Sequence, residues 1–123
     1  MKYFYNGQLI RKTKKADYTH AIIRLKDNGV MGLRSSLKAA EAFVRDYARL
    51  EKQWLDNLER MLQAVREGKS TYSNFSYGVT TTDRIPAGYT EDVILQKIEE
   101  TSKRWSDIVS GKTYKVVELE CVD

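Results

Sequence analysis

The sequence predicts an α+β domain: an antiparallel β-sheet built from two N-terminal hairpins and a C-terminal strand, with one long and one shorter α-helix. Three observations carry that prediction. Two β-rich runs near the N-terminus are each broken by a turn signal, Asn6-Gly7 and Asp27-Asn28-Gly29. Apolar residues then recur at spacings of three and four from Ala40 to Val65, as one face of a helix requires. A short alternating, β-branched run lies close to the C-terminus.

The elements follow in order. Residues 2–11 flank Asn-Gly with β-formers, and a type I′ turn suits that pair because both central residues need positive φ. A basic connection, RKTKKAD, leads to a second β-run at residues 18–25, which turns at Asp27-Asn28-Gly29 and returns over 30–34. Two consecutive hairpins make a meander of about four antiparallel strands. Ser35 and Ser36 are N-cap candidates for a helix that runs to about Glu67, with Gly68 as its stop. At 1.5 Å per residue this helix is roughly 48 Å long. A compact domain of this length has a radius of gyration of only about 14 Å. The overhang implies a partner for its stripe (Phe43, Tyr47, Leu50, Trp54, Leu58, Met61, Val65), and a second copy of the chain is the simplest. Thr90 caps a second helix, with Glu91 and Asp92 in its first turn and Gly111 at its end. Residues 113–120 form a last strand that joins the N-terminal sheet.

Between the helices, residues 68–89 read as a long connection without helical periodicity, a feature of functional or disordered segments. Its aromatics, Tyr72, Phe75, Tyr77 and Tyr89, argue against disorder. With Thr80, Thr81, Thr82, Asp83 and Arg84 they are the groups that a base, a ribose and phosphates require. The alternative is a loop whose tyrosines cap the core.

Bulk properties narrow the classes. The 123 residues make one domain, 1–123, of ordinary soluble composition. No apolar run approaches a membrane span, and the opening MKYFYNGQ lacks the apolar core of a secretory signal. One cysteine, Cys121, excludes an internal disulfide, so a cytoplasmic location is expected. Residues 1–34 carry eight Lys/Arg against two Asp, net +6; the rest carry thirteen basic and fifteen acidic groups, net −2. The positive potential belongs to the N-terminal third and suits phosphates, though a solvated surface explains it equally.

Chemistry for catalysis is missing. His20 is the single histidine and sits within a β-run, so it offers neither a metal constellation nor a paired base. No Gly-rich loop opens a helix after a parallel strand. Carboxylates on the long helix (Glu41, Asp46, Glu51, Asp56, Glu59) alternate with Arg45, Arg49, Lys52 and Arg60, the pattern of a solvated, i,i+4-paired face. The expectation is a protein that is not an enzyme and has no metal or cofactor. Binding groups are present instead. Arg24 interrupts an apolar strand, Arg104 sits beside Trp105, and Arg84 lies in the aromatic segment. An arginine fork matches phosphate oxygens; a surface ion pair is the alternative for each.

The opening KYFYNGQLIR, the TKK and the YTHAII that follow it, the long helix, the aromatic segment, the shorter helix and the last strand together resemble small phage-encoded proteins. The likeness is to the Thoeris anti-defence sponges, which sequester cyclic ADP-ribose isomers made by bacterial TIR-domain enzymes. It covers nearly the whole chain and rests on layout and length more than on a sharp motif. It implies a non-enzymatic binder that traps a nucleotide signal at the interface of a homodimer or larger homo-oligomer, in the cytoplasm of an infected bacterial host. Some family members also hold cyclic oligonucleotides in separate sites. By position, Phe75 or Tyr77 matches the base-stacking ring, and Arg24 and Arg104 match the pyrophosphate contacts. Thr80, Thr81, Thr82 and Arg84 would close over base and ribose. The family often uses phenylalanine as the stacking ring, so Tyr77 departs from the pattern.

Two other readings compete. A small sheet followed by a helix, with a basic N-terminal third, resembles DNA-binding modules, in which RKTKK would contact phosphates. The net acidic remainder of the chain and an aromatic segment outside the basic region speak against nucleic acid. The other is a protein–protein inhibitor of the anti-CRISPR type, engaging its target through the long helix.

Overall fold

The structure is a computed structural model that describes residues 1–14 and 17–122. Lys15 and Ala16 of the basic connection lie outside the described residues. The fold is α+β: the described residues form two helices and eight strands, every strand pairing antiparallel. The chain divides into two compact units, Met1–Tyr47 with Asp107–Asp123, and Ala48–Ser106.

In the first unit, β1 (Lys2–Tyr5) pairs with β2 (Gln8–Lys12), and β3 (His20–Arg24) with β4 (Gly29–Arg34). Asn6 and Gly7 have φ of 50° and 74°, the left-handed pair that a type I′ turn needs. The four strands do not form one meander. They lie in two three-stranded sheets, ordered β2-β1-β8 and β4-β3-β7. The C-terminal run serves both: β7 (Tyr114–Glu118) pairs with β3 and β8 (Glu120–Val122) with β1. Leu119, between them, donates its N–H to Thr19 O at 2.9 Å. Two bulges separate expectation from register. Ile10 is the extra residue opposite Tyr3-Phe4, and Met31 the extra residue opposite Ile22-Ile23.

β3 is buried on both faces, which is why it reads as an unbroken apolar run, Ala21-Ile22-Ile23. Ala21, Ile23 and Leu33 form one core cluster, with Ile10, Tyr18, Val117 and Leu119 around it. Tyr3 is fully buried, meets Tyr18 edge to face at 5.5 Å, and accepts the Tyr18 N–H at its hydroxyl. On the Ile22 face the first turns of α1 (Leu37–Arg66) bring Phe43 and Tyr47 together at 5.0 Å, and Tyr47 meets Tyr114 of β7 at 5.5 Å. Gly32 leaves room there for Arg34, whose guanidinium lies 4.8 Å from the Phe43 ring centre.

Both helices end as their sequences require. Ser36 Oγ accepts the Ala39 N–H at 3.0 Å, so Ser36 is the N-cap of α1. Gly68, with φ 73°, closes α1: its N–H reaches Val65 O, and Lys69 N–H reaches Ala64 O. That double bond is the Schellman arrangement, which satisfies the last carbonyls. α2 (Glu91–Val109) starts at Thr90, whose Oγ1 accepts the Val93 N–H. It closes with the same pair of bonds, from Gly111 to Ile108 and from Lys112 to Asp107.

The second unit holds the largest departure from expectation. The segment read as a connection is a β-hairpin, β5 (Thr71–Ser76) and β6 (Val79–Arg84). Its turn is Tyr77-Gly78, with φ of 52° and 76°. A tyrosine in the left-handed region is uncommon, so the turn lacked the Asn-Gly signature that marked the first hairpin. The β-branched run Val79-Thr80-Thr81-Thr82 was the available signal. The core beside it is Leu58, Met61, Leu62 and Ile94, packed by Trp54, Val65, Tyr72, Tyr89 and Ile98. Thus Trp54, Leu58, Met61 and Val65, four members of the stripe assigned to a second copy, are covered by this chain's own hairpin and α2. Leu50, from the same stripe, stays 46% exposed.

Candidate functional site

The site is built on the seam where β5 runs against α1. In an antiparallel hairpin, alternate residues turn both main-chain groups away from the partner strand. Phe75 stands in such a position opposite Thr80. Its N–H donates to Asn57 Oδ1 at 2.9 Å, and its carbonyl accepts Asn57 Nδ2 at 2.8 Å. Gln53 Nε2 also donates to that carbonyl, at 2.9 Å. The Asn57 amide acts as a further strand, and at 4% exposure it is one of two buried polar side chains among the described residues. Sequence reasoning missed it. The signal was a polar residue inside the apolar stripe, between Trp54 and Leu58.

Above this anchor lies a cavity of about 450 Å³. Phe75, Tyr77 and Gly78 wall it on the hairpin side. Arg49, Leu50, Lys52, Gln53, Asp56 and Arg60 wall it on the helix side. Phe75 is 40% exposed and Tyr77 90%, so two aromatic rings stand open to an incoming ligand. Three cations face one carboxylate, and that carboxylate, Asp56, is held by Lys52 at 3.5 Å. Flat rings beside guanidinium groups can stack a base and hold a phosphate. Along the sequence these cations follow the pattern of a solvated helical face; here they wall a cavity.

Of the expected site residues, the hairpin gathers several. Phe75 pairs with Thr80, Ser73 with Thr82 and Thr71 with Arg84, so all six lie on one face by alternation. Thr81 turns to the other face, where its Oγ1 and Asn74 Nδ2 both donate to Asp83 Oδ2. On that face Tyr72 packs into the core, and burial, reinforced by the Asp83 charge, raises its phenol above the ordinary value.

The two arginines given to the pyrophosphate are engaged elsewhere. Arg104 Nε donates to both Glu51 oxygens at 3.2 Å, and Nη2 donates to Thr101 Oγ1 at 3.0 Å. Arg24 belongs to the first unit and ends β3. It meets Asp27 of its own turn through two bonds, Nε to Oδ1 at 2.8 Å and Nη2 to Oδ2 at 2.7 Å. The partner that an arginine in an apolar strand needs is therefore a carboxylate three residues on, and the pair stays half exposed. Arg24 and the Gly29 N–H together hold the Asp27 carboxyl down to about 2. A carboxylate titrating lower in the folded chain than its unfolded value of about 3.9 supports folding above that value and loses its contribution as pH falls through about 2. Carboxyl NMR of Asp27 should give a midpoint near 2, and Arg24→Ala should move it up toward 3.9. A midpoint unmoved in Arg24→Ala would mean the ion pair does not form in solution.

Among the described residues no helix is long and apolar enough to cross a membrane, and no group of three His, Cys, Asp or Glu side chains is placed to hold a metal. Comparison with protein-family models, with curated proteins and with solved structures finds no match.

Proposed function

We propose that this protein binds a nucleotide signal and holds it unchanged, as the resemblance to the Thoeris anti-defence sponges implies, with a cyclic ADP-ribose isomer as ligand. It would act in the cytoplasm of an infected bacterium. The observation that carries the reading is the 450 Å³ cavity, in which Phe75 and Tyr77 stand beside Arg49, Lys52 and Arg60. The base stacks on the rings, which contributes about 1–3 kcal/mol. The phosphates meet the cations. The lining supports retention without turnover: it offers amide, cationic and aromatic groups, and its one carboxylate is engaged by a lysine. A second copy seated over Leu50, Phe75 and Tyr77 would close the cavity and bury apolar side chains that one chain leaves open.

Incubation with a cyclic ADP-ribose isomer, removal of free ligand and heat denaturation should release the isomer intact, read by mass spectrometry. Tyr77→Ala should capture about tenfold less, with an unchanged melting temperature, because Tyr77 contacts solvent rather than core. Release of ADP-ribose at many turnovers per chain would show an enzyme, and no retained nucleotide would overturn the reading.

A second reading, nucleic-acid binding through the N-terminal strands, has one observation in its favour. Lys2 and Lys12 are directly opposed across β1 and β2, a like-charge pair that an anion would relieve. A gel shift with a steep salt dependence is the result that would favour it.

A further inference from the structure

The hairpin of β5 and β6 has two edges, and they differ. On β5 the main-chain groups of Phe75 turn away from β6 and are taken by Asn57. On β6 the phase follows from Ile85, whose N–H donates inward to Ser70 O at 3.0 Å. Alternation then turns the main-chain N–H and C=O of Thr80, Thr82 and Arg84 outward. Among the described residues no hydrogen bond reaches those outward groups, and residues 79–82 and Arg84 are exposed.

Open edges are normally guarded by charge, bulges, proline or brevity, because a row of unpaired main-chain groups recruits another strand. The edges of the two three-stranded sheets follow that rule. β2 carries Arg11, Lys12 and the bulge at Ile10, and β4 the bulge at Met31. β7 carries Lys115 and Glu118, and β8 has 3 residues. β6 departs from it. Residues 79–82 read Val-Thr-Thr-Thr, β-branched and uncharged, and the register against β5 is unbroken from end to end.

We infer that the outer edge of β6 is an interaction surface for a second copy of this chain, whose own β6 adds antiparallel across a two-fold axis at Thr82. The charges choose that register. Centred on Thr82, the strand sets Thr82 against its counterpart, Thr80 against Arg84 and Thr81 against Asp83, so each charge faces a threonine. Centred on Asp83 or Arg84, like charges would stand directly opposed, which is destabilising. Centred on Thr80 or Thr81, the pairing would run into the Tyr77-Gly78 turn. The Thr82 centre engages Thr80, Thr82 and Arg84 of both copies, each opposed pair exchanging two main-chain bonds. The arrangement also closes. In the order β5-β6-β6-β5 both outer strands are β5, already held to α1 at Asn57, so pairing stops at two copies. A foreign strand would bring a free edge of its own. This surface lies on the side of the hairpin away from Asn57, and the inference does not rest on the nucleotide reading.

Light scattering of the full chain at micromolar concentration should give the mass of two chains. Thr82→Pro removes the central outward N–H and none of the hairpin's own bonds, so it should give a monomer. Thr82→Lys sets like charges directly opposed at the axis and should do the same. Amide exchange reads the edge itself. The N–H groups of Thr80, Thr82 and Arg84 should exchange roughly tenfold or more slowly in the wild-type dimer than in a diluted, monomeric sample. In Thr82→Lys the Thr80 and Arg84 N–H groups should exchange at the monomer rate, while the Thr81 N–H, bonded within the hairpin, stays protected and reports that the hairpin is folded. A monomeric wild type overturns the inference. So does a dimer that survives both substitutions, because its interface lies elsewhere. If both variants lose the Thr81 protection, the wild-type exchange decides: fast exchange of Thr80, Thr82 and Arg84 in the dimer overturns the inference, and slow exchange supports it.

Discussion

Leu58→Ala should lower the unfolding free energy by about 3–4 kcal/mol, the largest effect expected of a single truncation in this chain. Leu58 is fully buried among Met61, Leu62 and Ile94, where helix, hairpin and α2 converge. Truncation loses the transfer free energy of the side chain and leaves a cavity that three packed elements cannot close. The contrast is Leu50→Ala. Leu50 lies on the same helix but is 46% exposed, and its truncation should cost well under 1 kcal/mol. Denaturant titration of both variants checks the pair. Equal losses would mean that a second copy buries Leu50 in solution as thoroughly as this chain buries Leu58.

Asn57→Leu should cost about 2–3 kcal/mol although the side chains are similar in size. The substitution removes the acceptor of the Phe75 N–H, and a buried donor left without a partner loses about 1–3 kcal/mol. The Phe75 carbonyl keeps Gln53 as a donor, which limits the damage to one main-chain group. Gln53→Ala, by the same argument, should change stability by less than about 0.5 kcal/mol, because Asn57 still serves that carbonyl. Amide hydrogen exchange is the sensitive readout. The Phe75 N–H should exchange slowly in the wild type and in Gln53→Ala, and quickly in Asn57→Leu. Since the Phe75 ring is carried by that anchored backbone, Asn57→Leu should also weaken nucleotide capture. Slow exchange of Phe75 in Asn57→Leu would show that the hairpin is held by its side chains alone.

The parts of the fold legible in the sequence are those set by neighbours along the chain. Asn6-Gly7 dictated a type I′ turn because few other residue pairs tolerate two positive φ values. Ser36, Gly68, Thr90 and Gly111 marked both helices to within a residue or two, because capping is a bond between groups three to five residues apart. The α+β class follows from the switch between periods of two and of about 3.6. Phe75, Tyr77, Thr80, Thr82 and Arg84 were picked out by residue type, and the hairpin places Phe75, Thr80, Thr82 and Arg84 on one face.

Tertiary structure decided the rest. Two bulges, at Ile10 and Met31, shift the registers of the two N-terminal hairpins, and the C-terminal run pairs with β1 and β3 in unbroken register; no local pattern encodes where a distant strand pairs. Arg24 looked like a charge in need of an anion, and the turn returned Asp27 to it. Arg49, Lys52 and Arg60 follow the spacing of a solvated helical face, and along the helix nothing distinguishes them from Arg45. They line a cavity because β5, more than ten residues later in the chain, is held against that flank by two hydrogen bonds between Asn57 and the Phe75 main chain. Periodicity along a chain says which residues share a face; which face meets another element is settled only by packing and by where the main-chain bonds are satisfied.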